Sequence, residues 1–176
     1  MIVVGFLGRA DALAVEIARR AAGTGARIEM IGAAAPGPAG DQRLLELAAA
    51  RIGHATVIRS GADSLDAADL NLALRYLPDI RCIVLVRPAA GLLPTAIADA
   101  EWAGAPLVLV GPLEGDAIAV LDALDRRGPM LLEPPASDPD GAFAGFVVAL
   151  AARLDAGDQP EAALRATVSA LGAEPV

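Results

Sequence analysis

Short runs of apolar residues alternate along the chain with longer segments in which apolar residues recur every three or four positions. The short runs are typical of buried β-strands, and the longer segments have the spacing of amphipathic α-helices. The Gly- and Pro-rich segment 32–40 is predicted to be a loop, and Asp41 is predicted to cap the helix that follows it. The predicted strands are 1–6, 27–31, 55–59, 80–86, 106–110 and 130–133, and the predicted helices are 11–24, 41–52, 66–77, 92–103, 115–127, 141–156 and 160–171.

The strict alternation of strand and helix predicts the fold class. Parallel βαβ units close with a right-handed crossover and place helices on both faces of one sheet. We therefore predict an α/β protein, a three-layer α/β/α sandwich with a mainly parallel central sheet. A length of 176 residues suits a single domain that covers 1–176. Ligands of such sheets bind beyond the carboxyl ends of the strands, and the loops predicted there are 5–8, 32–40, 87–91, 111–114 and 134–141.

The composition excludes several classes of protein. The chain contains no lysine, so it has neither the lysine of a Walker A phosphate loop nor that of a Schiff-base enzyme. A formal net charge of −8 argues against nucleic acid or an anionic membrane as a partner. No apolar run is long enough to span a membrane, and the first residues do not resemble a secretory signal, so we expect a cytoplasmic protein. The single cysteine, Cys82, lies in an apolar run and is predicted to be a core residue.

The segment 133–157 is the strongest candidate for a functional site. Its turn, Asp-Pro-Asp-Gly, ends a predicted strand and opens a long apolar helix, so backbone N–H groups and the positive end of the helix dipole favour an anion there. Asp138 and Asp140 flank this spot. Asp140 is interpreted first as the N-cap of the helix and Asp138 as a turn residue, and either carboxylate is a candidate catalytic base. The predicted anion- or nucleotide-binding residues are Gly141, Ala142, Phe143 and Gly111.

Other residues offer weaker candidates. His54 is the only histidine, and without a second His or Cys it predicts no metal site. Glu133 and Asp138 are interpreted as solvated carboxylates rather than magnesium ligands. Arg87 follows the central strand and is interpreted as a surface arginine within reach of a phosphate. Gly5 and Gly8 form part of a dinucleotide-binding fingerprint, which keeps a Rossmann-type nucleotide-binding protein as an alternative.

Two segments carry a resemblance to a known family. The segment 138–164, DPDGAFAGFVVALAARLDAGDQPEAAL, is similar to a signature Asp-Thr-x-Gly-Ala-Gly-Asp-x-Phe followed by a helix, a Gly and a further helix. The segment 32–58 is similar to a Gly-rich loop leading into a helix that ends in Gly. Both motifs are those of the ribokinase-like, or PfkB-type, carbohydrate kinases, and the resemblance covers 28–171 with deletions. Asp138, Gly141, Ala142 and Phe146 match the signature, whereas Ala144 takes the place of its catalytic aspartate.

The resemblance implies a sugar kinase fold with a damaged active site. In this family the signature aspartate accepts the proton of a sugar hydroxyl that attacks the γ-phosphate of ATP, and the Gly-Ala-Gly amides stabilise the transferring group. Alanine is neither an acid nor a base, and the loss of a general base typically lowers the rate by a factor of about 10² to 10⁴. We therefore expect a shortened, degenerate kinase-like protein that binds a small anionic or phosphorylated ligand or a protein partner. The alternative is a minimal sugar or nucleoside kinase that uses ATP and Mg²⁺ with Asp140 or Asp138 as base.

A homodimer is the remaining expectation. The family often dimerises, and the chain is apolar for its length, with 55% hydrophobic residues.

Overall fold

The computed structural model describes residues 1–6, 12–60, 65–113, 118–119, 121 and 128–172. Within these ranges the elements alternate as the hydrophobic pattern predicts. The strands are β1 (Ile2–Phe6), β2 (Ile28–Ala34), β3 (Gly53–Arg59), β4 (Cys82–Val86), β5 (Leu107–Val110) and β6 (Met130–Leu132). The helices are α1 (Ala12–Gly23), α2 (Pro38–Ala49), α3 (Ala67–Tyr76), α4 (Leu93–Ala103), α5 (Ala142–Ala156) and α6 (Pro160–Ala170), with a 3₁₀ turn at Ala90–Leu92 before α4.

The six strands form one sheet in the order β3-β2-β1-β4-β5-β6. Every adjacent pair is parallel, so all six strands end at the same edge of the sheet. The order reverses between β1 and β4, and such a reversal opens a crevice at the carboxyl ends of the strands where α/β proteins bind ligands. The predicted α/β class and parallel sheet are confirmed.

Side chains of the sheet alternate between two cores. In β4 the side chains of Cys82, Val84 and Val86 pack on the face that α1, α2, α5 and α6 cover. Those of Ile83 and Leu85 pack on the opposite face, against α3 and α4. All five residues are buried, as expected for a central strand covered on both faces. The molecule thus has the predicted three layers.

The prediction of a loop at 32–40 is wrong over most of its length. β2 continues to Ala34 because it keeps pairing with β3 to the end of that strand, so the glycine within it is tolerated. α2 begins already at Pro38, because proline is well accommodated in the first turn of a helix. Asp41 therefore lies within the first turn and does not cap the helix; its carboxylate forms an ion pair with Arg59 instead.

Two predictions fall outside the described residues. Gly8 lies there, as does most of the predicted helix 115–127. Among the helices that the structure does describe, none is both long enough and apolar enough to cross a membrane.

Candidate functional site

The predicted site is the turn that leads into α5. The helix begins after Gly141, whose φ of 66° is in the left-handed region that favours glycine. The carboxylate of Asp138 accepts a hydrogen bond from the Phe143 N–H at 3.1 Å, and its backbone carbonyl accepts one from the Gly141 N–H at 3.2 Å. Asp138 is therefore the residue that caps α5.

The prediction that Asp140 caps the helix is wrong. Because the left-handed Gly141 itself occupies the N-cap position, Asp140 lies one residue too early, and the side chain of Asp138 crosses the turn in its place. Asp140 is exposed. Its backbone carbonyl accepts a hydrogen bond from Arg20 Nη2 at 3.4 Å.

Most of the amides predicted to bind an anion already have acceptors within the chain. The carbonyl of Asp138 accepts the hydrogen bond of the Gly141 N–H, and its carboxylate accepts that of the Phe143 N–H. The carboxylate thus supplies the negative charge that the amino end of a helix favours. The Gly111 N–H donates to the Leu132 carbonyl at 2.9 Å and thereby extends the pairing of β5 with β6. Of the four predicted residues, Ala142 alone has an N–H without a partner in the part of the chain that the structure describes.

Arg20 of α1 joins this turn, and sequence reasoning missed it. Its Nε forms an ion pair with Glu16 at 2.5 Å, and its guanidinium lies against the start of α5. A Cβ added at Gly141 would meet Arg20 Nη2 at 2.4 Å, which shows how closely the arginine approaches the backbone. No local signal marks Arg20, because its position depends on the packing of α1 against α5. The guanidinium adds a full positive charge beside the positive end of the helix dipole.

Ala144 is buried, with 1% of its surface exposed. It belongs to the core that α1 and α5 share with the sheet, together with Val147 and Ala151 of the same helix. The position that the resemblance assigns to a catalytic aspartate is thus filled by a methyl group packed among apolar side chains.

The carboxyl ends of β4 and β5 meet at Arg87 and Gly111. Arg87 has a φ of 48°, which is unusual for a residue other than glycine, and its N–H donates to the Val110 carbonyl at 2.7 Å. Gly111 has a φ of 121°, and a Cβ there would lie 2.7 Å from Arg87 Cγ. Glycine is required at this position both for its conformation and for the close approach of the arginine side chain.

A cleft of about 680 Å³ lies at the opposite end of the sheet. It is situated where α4 and α5 end, near the amino ends of β5 and β6. Polar residues on its wall include Arg81, Glu101, Asp155 and Asp158. No residue of the predicted anion site lines it.

The remaining candidates have structural environments. Burial raises the pKa of Cys82 to about 12, so its thiol is protonated at neutral pH and the residue is confirmed as part of the core. His54 Nδ1 lies 3.0 Å from the Ile52 carbonyl. Within the described ranges, no group of three or more His, Cys, Asp and Glu residues is placed to hold a metal ion.

Comparison with known proteins gives similarity in structure only. No protein-family model and no curated protein matches the sequence. Solved structures of sugar kinases do match its fold. A fructokinase with bound ATP from Xylella fastidiosa superposes with a TM-score of 0.64 at 12% identity, over 94% of this chain and 85% of that one. A PfkB protein from Polaromonas sp. JS666 superposes with a TM-score of 0.64 at 14% identity, over 98% of this chain and 94% of that one.

An aminoimidazole riboside kinase from Salmonella enterica, complexed with aminoimidazole riboside and an ATP analog, gives a TM-score of 0.61 at 14% identity. That match covers 96% of this chain and 89% of the other. Identities this low carry no information about activity, but the coverage extends over nearly the whole chain. The protein therefore has the α/β fold of the ribokinase-like, PfkB-type sugar kinases.

Proposed function

We propose that this protein is a degenerate member of the ribokinase-like fold, which lacks ordinary phosphotransferase activity and binds a small anionic or phosphorylated molecule at the amino-terminal turn of α5. The observation that carries the first half is the burial of Ala144. In the family that the sequence resembles, this position holds the base that deprotonates the acceptor hydroxyl. A buried methyl group cannot transfer a proton.

The other carboxylates of the turn do not replace the missing base. The carboxylate of Asp138 accepts a hydrogen bond from the Phe143 N–H and is engaged in capping α5. Asp140 is exposed to water and lies four positions before Ala144. Neither residue belongs to the core around Ala144, the position at which the resemblance places the base.

The observations that support the anion site are the guanidinium of Arg20 and the Ala142 N–H, which has no partner among the described residues, at one helix start. Two positive features converge on this turn, the arginine and the amino end of the helix dipole. The carboxylate of Asp138 balances the helix end and Glu16 is paired with Arg20, so a bound phosphate would share Arg20 with Glu16. A phosphate group approaching from solvent would accept hydrogen bonds from Arg20 and from the Ala142 N–H, and hydrogen bonds between charged groups are the stronger ones.

Two measurements test the two halves separately. Incubation with ATP, Mg²⁺ and a panel of sugars and nucleosides is expected to give no acceptor-dependent consumption of ATP. Thermal shift with inorganic phosphate, sugar phosphates and ATP is expected to raise the melting temperature, because a ligand that binds only the folded form stabilises it. Arg20→Gln is expected to abolish that shift. Arg165→Gln removes the same charge from the exposed face of α6 and serves as the matched control.

Each half can fail alone. Phosphorylation of any sugar or nucleoside would refute the loss of activity, and if Asp140→Asn then abolished turnover, the minimal kinase with Asp140 as base would take its place. A stabilising effect of phosphate that survives Arg20→Gln would refute the proposed site.

The sheet order favours one further candidate, a Rossmann-type nucleotide-binding protein. The order 3-2-1-4-5-6 is that of dinucleotide-binding sheets, and Gly5 is the last residue but one of β1, the strand beside the point where the order reverses. Stabilisation by NAD but by neither ATP nor phosphate would support this candidate over the first.

A further inference from the structure

The cleft at the amino ends of the strands is large enough for a small organic molecule. Its volume of about 680 Å³ lies within the roughly 300–1,000 Å³ of pockets that bind such ligands. Arg81, Pro106 and Pro129 line it, and they directly precede β4, β5 and β6. The anion site lies at the other end of the sheet and contributes no residue to this lining, so binding here does not depend on the proposed function.

Two closed helix ends fix the walls of the cleft. α4 ends at Gly104 and α5 at Gly157, both in the left-handed conformation, with φ of 63° and 100°. In each case the N–H of the residue after the glycine donates at 3.0 Å to a carbonyl in the last turn of the helix, which is the pattern of a Schellman motif. The cleft is therefore formed before a ligand arrives, which lowers the cost of ordering on binding.

The floor of the cleft is apolar because it reaches both cores of the protein. Ile80, Ile97 and Leu107 belong to the core that α3 and α4 cover. Leu154 belongs to the opposite core, and Met130 packs against it. A ligand that covers these side chains removes apolar surface from water, so the floor favours a molecule with an apolar body.

Four charged side chains line the cleft among the described residues, and two of them are paired within the chain. Asp155 Oδ1 lies 2.6 Å from the buried ammonium group of Met1. Asp158 Oδ2 lies 3.5 Å from Arg153 Nη1. The charges of these two carboxylates are thus balanced without a ligand.

Arg81 and Glu101 are the other two charged residues of the lining. Both side chains are exposed, and within the described ranges neither has an ion pair or a side-chain hydrogen bond, with the other or with a third residue. Glu101 lies in the last turn of α4, and the end of α5 also borders the cleft, so the negative ends of two helix dipoles favour a cation there. The guanidinium of Arg81 suits a carboxylate.

We propose that this cleft binds a small zwitterion with an apolar body, such as an apolar amino acid or dipeptide. The carboxylate of the ligand contacts Arg81, its ammonium group contacts Glu101 at the carboxyl end of α4, and its apolar part covers the floor. A ligand with a single charge would take one of these side chains out of water and leave the other without a partner, which costs free energy.

Isothermal titration calorimetry with the full chain tests the proposal. The probes are L-leucine and leucyl-leucine, which differ in size, and two analogues of leucine that each lack one charge. These are 3-methylbutylamine, without the carboxylate, and 4-methylpentanoate, without the ammonium group. Saturable binding is expected for at least one zwitterion, about 10-fold or more tighter than for either analogue, because each analogue loses a hydrogen bond between charged groups.

Two variants assign the charged groups. Arg81→Gln is expected to weaken binding of the zwitterion about 10-fold, so that it binds no more tightly than 3-methylbutylamine. Glu101→Gln is expected to weaken it similarly, to the affinity of 4-methylpentanoate. Arg165→Gln and Glu133→Gln are the matched controls, since both residues are exposed and outside the lining, and they are expected to bind as the wild type does.

Several results would overturn the assignment of this cleft. One is the absence of saturable binding of both zwitterions. Another is an analogue that binds as tightly as the zwitterion, which would indicate a site for a simple cation or anion. Affinity that survives both Arg81→Gln and Glu101→Gln, or that the two controls lower equally, overturns it as well. Circular dichroism verifies that all four variants are folded, as the exposure of the four side chains leads us to expect.

Discussion

Restoring the missing aspartate at position 144 gives the most direct test of how the site is built. The substitution Ala144→Asp recreates the residue that the resemblance places there. The structure predicts that it destabilises the protein and restores no activity, because the side chain points into the core between α5, α1 and the sheet.

The magnitude follows from two opposing effects. Leaving a charge buried without a partner costs on the order of 3–5 kcal/mol. A carboxylate near the amino end of a helix regains about 0.3–1 kcal/mol from the helix dipole. Burial dominates, and we expect the free energy of unfolding at pH 7 to fall by about 2–5 kcal/mol, which is a large share of the roughly 5–15 kcal/mol of a typical domain.

The pH dependence distinguishes a buried carboxylate from a merely misplaced side chain. Burial disfavours the charged form and raises the pKa of the introduced carboxyl in the folded state above its value of about 3.9 in the unfolded chain. Between those two pKa values the unfolded state binds fewer protons, so the deficit relative to the wild type grows as pH rises through this window and is smallest at the acid end. Urea titrations of the wild type and of Ala144→Asp at several pH values measure this deficit in the free energy of unfolding.

Ala142→Asp is the control, because Ala142 lies on the same turn but is exposed. A carboxylate there meets the helix dipole without burial, and we expect its stability to be unchanged or raised by up to about 1 kcal/mol. If Ala144→Asp were as stable as the wild type, position 144 would face water or a hollow and the assignment of Ala144 to the core would be refuted. Phosphotransferase activity in that variant would show that the rest of the catalytic site is intact.

Three further predictions concern single contacts. Asp138→Ala is expected to lower the free energy of unfolding by about 0.5–2 kcal/mol because it removes a helix cap, whereas Asp140→Ala is expected to change it little; equal effects in urea titrations would contradict the capping assignment. Gly111→Ala is expected to lower the free energy of unfolding by at least about 1 kcal/mol, because a residue with a Cβ is strained at a φ of 121°. Gly91→Ala is the control, because a Cβ there meets nothing within 4 Å. Equal melting temperatures of the two variants would refute the prediction. Cys82, with a pKa of about 12, is expected to react with a thiol reagent near pH 8 only as fast as the protein unfolds, and rapid labelling of the folded protein would show that its burial is wrong.

The sequence by itself determined the class of fold and the order of its elements. Short continuous apolar runs and amphipathic segments with a period of 3.6 are local signals, and the burial of Cys82 in β4 followed from the run in which it lies. Errors arose where pairing or packing outweighed local preference. β2 continues through a glycine because β3 offers it partners, and α2 begins at a proline that the pattern assigned to a loop.

Only the tertiary structure decided the nature of the candidate site. The sequence favoured Asp140, directly before Gly141, as the cap and Asp138 as a turn residue, and the left-handed conformation of Gly141 selects Asp138 as the cap instead. Arg20 is 120 residues away from Asp140 along the chain, and it reaches the turn because α1 packs against α5. Which side of a helix faces water and which residues of distant helices meet depend on long-range contacts, and these are not encoded in any short stretch of sequence.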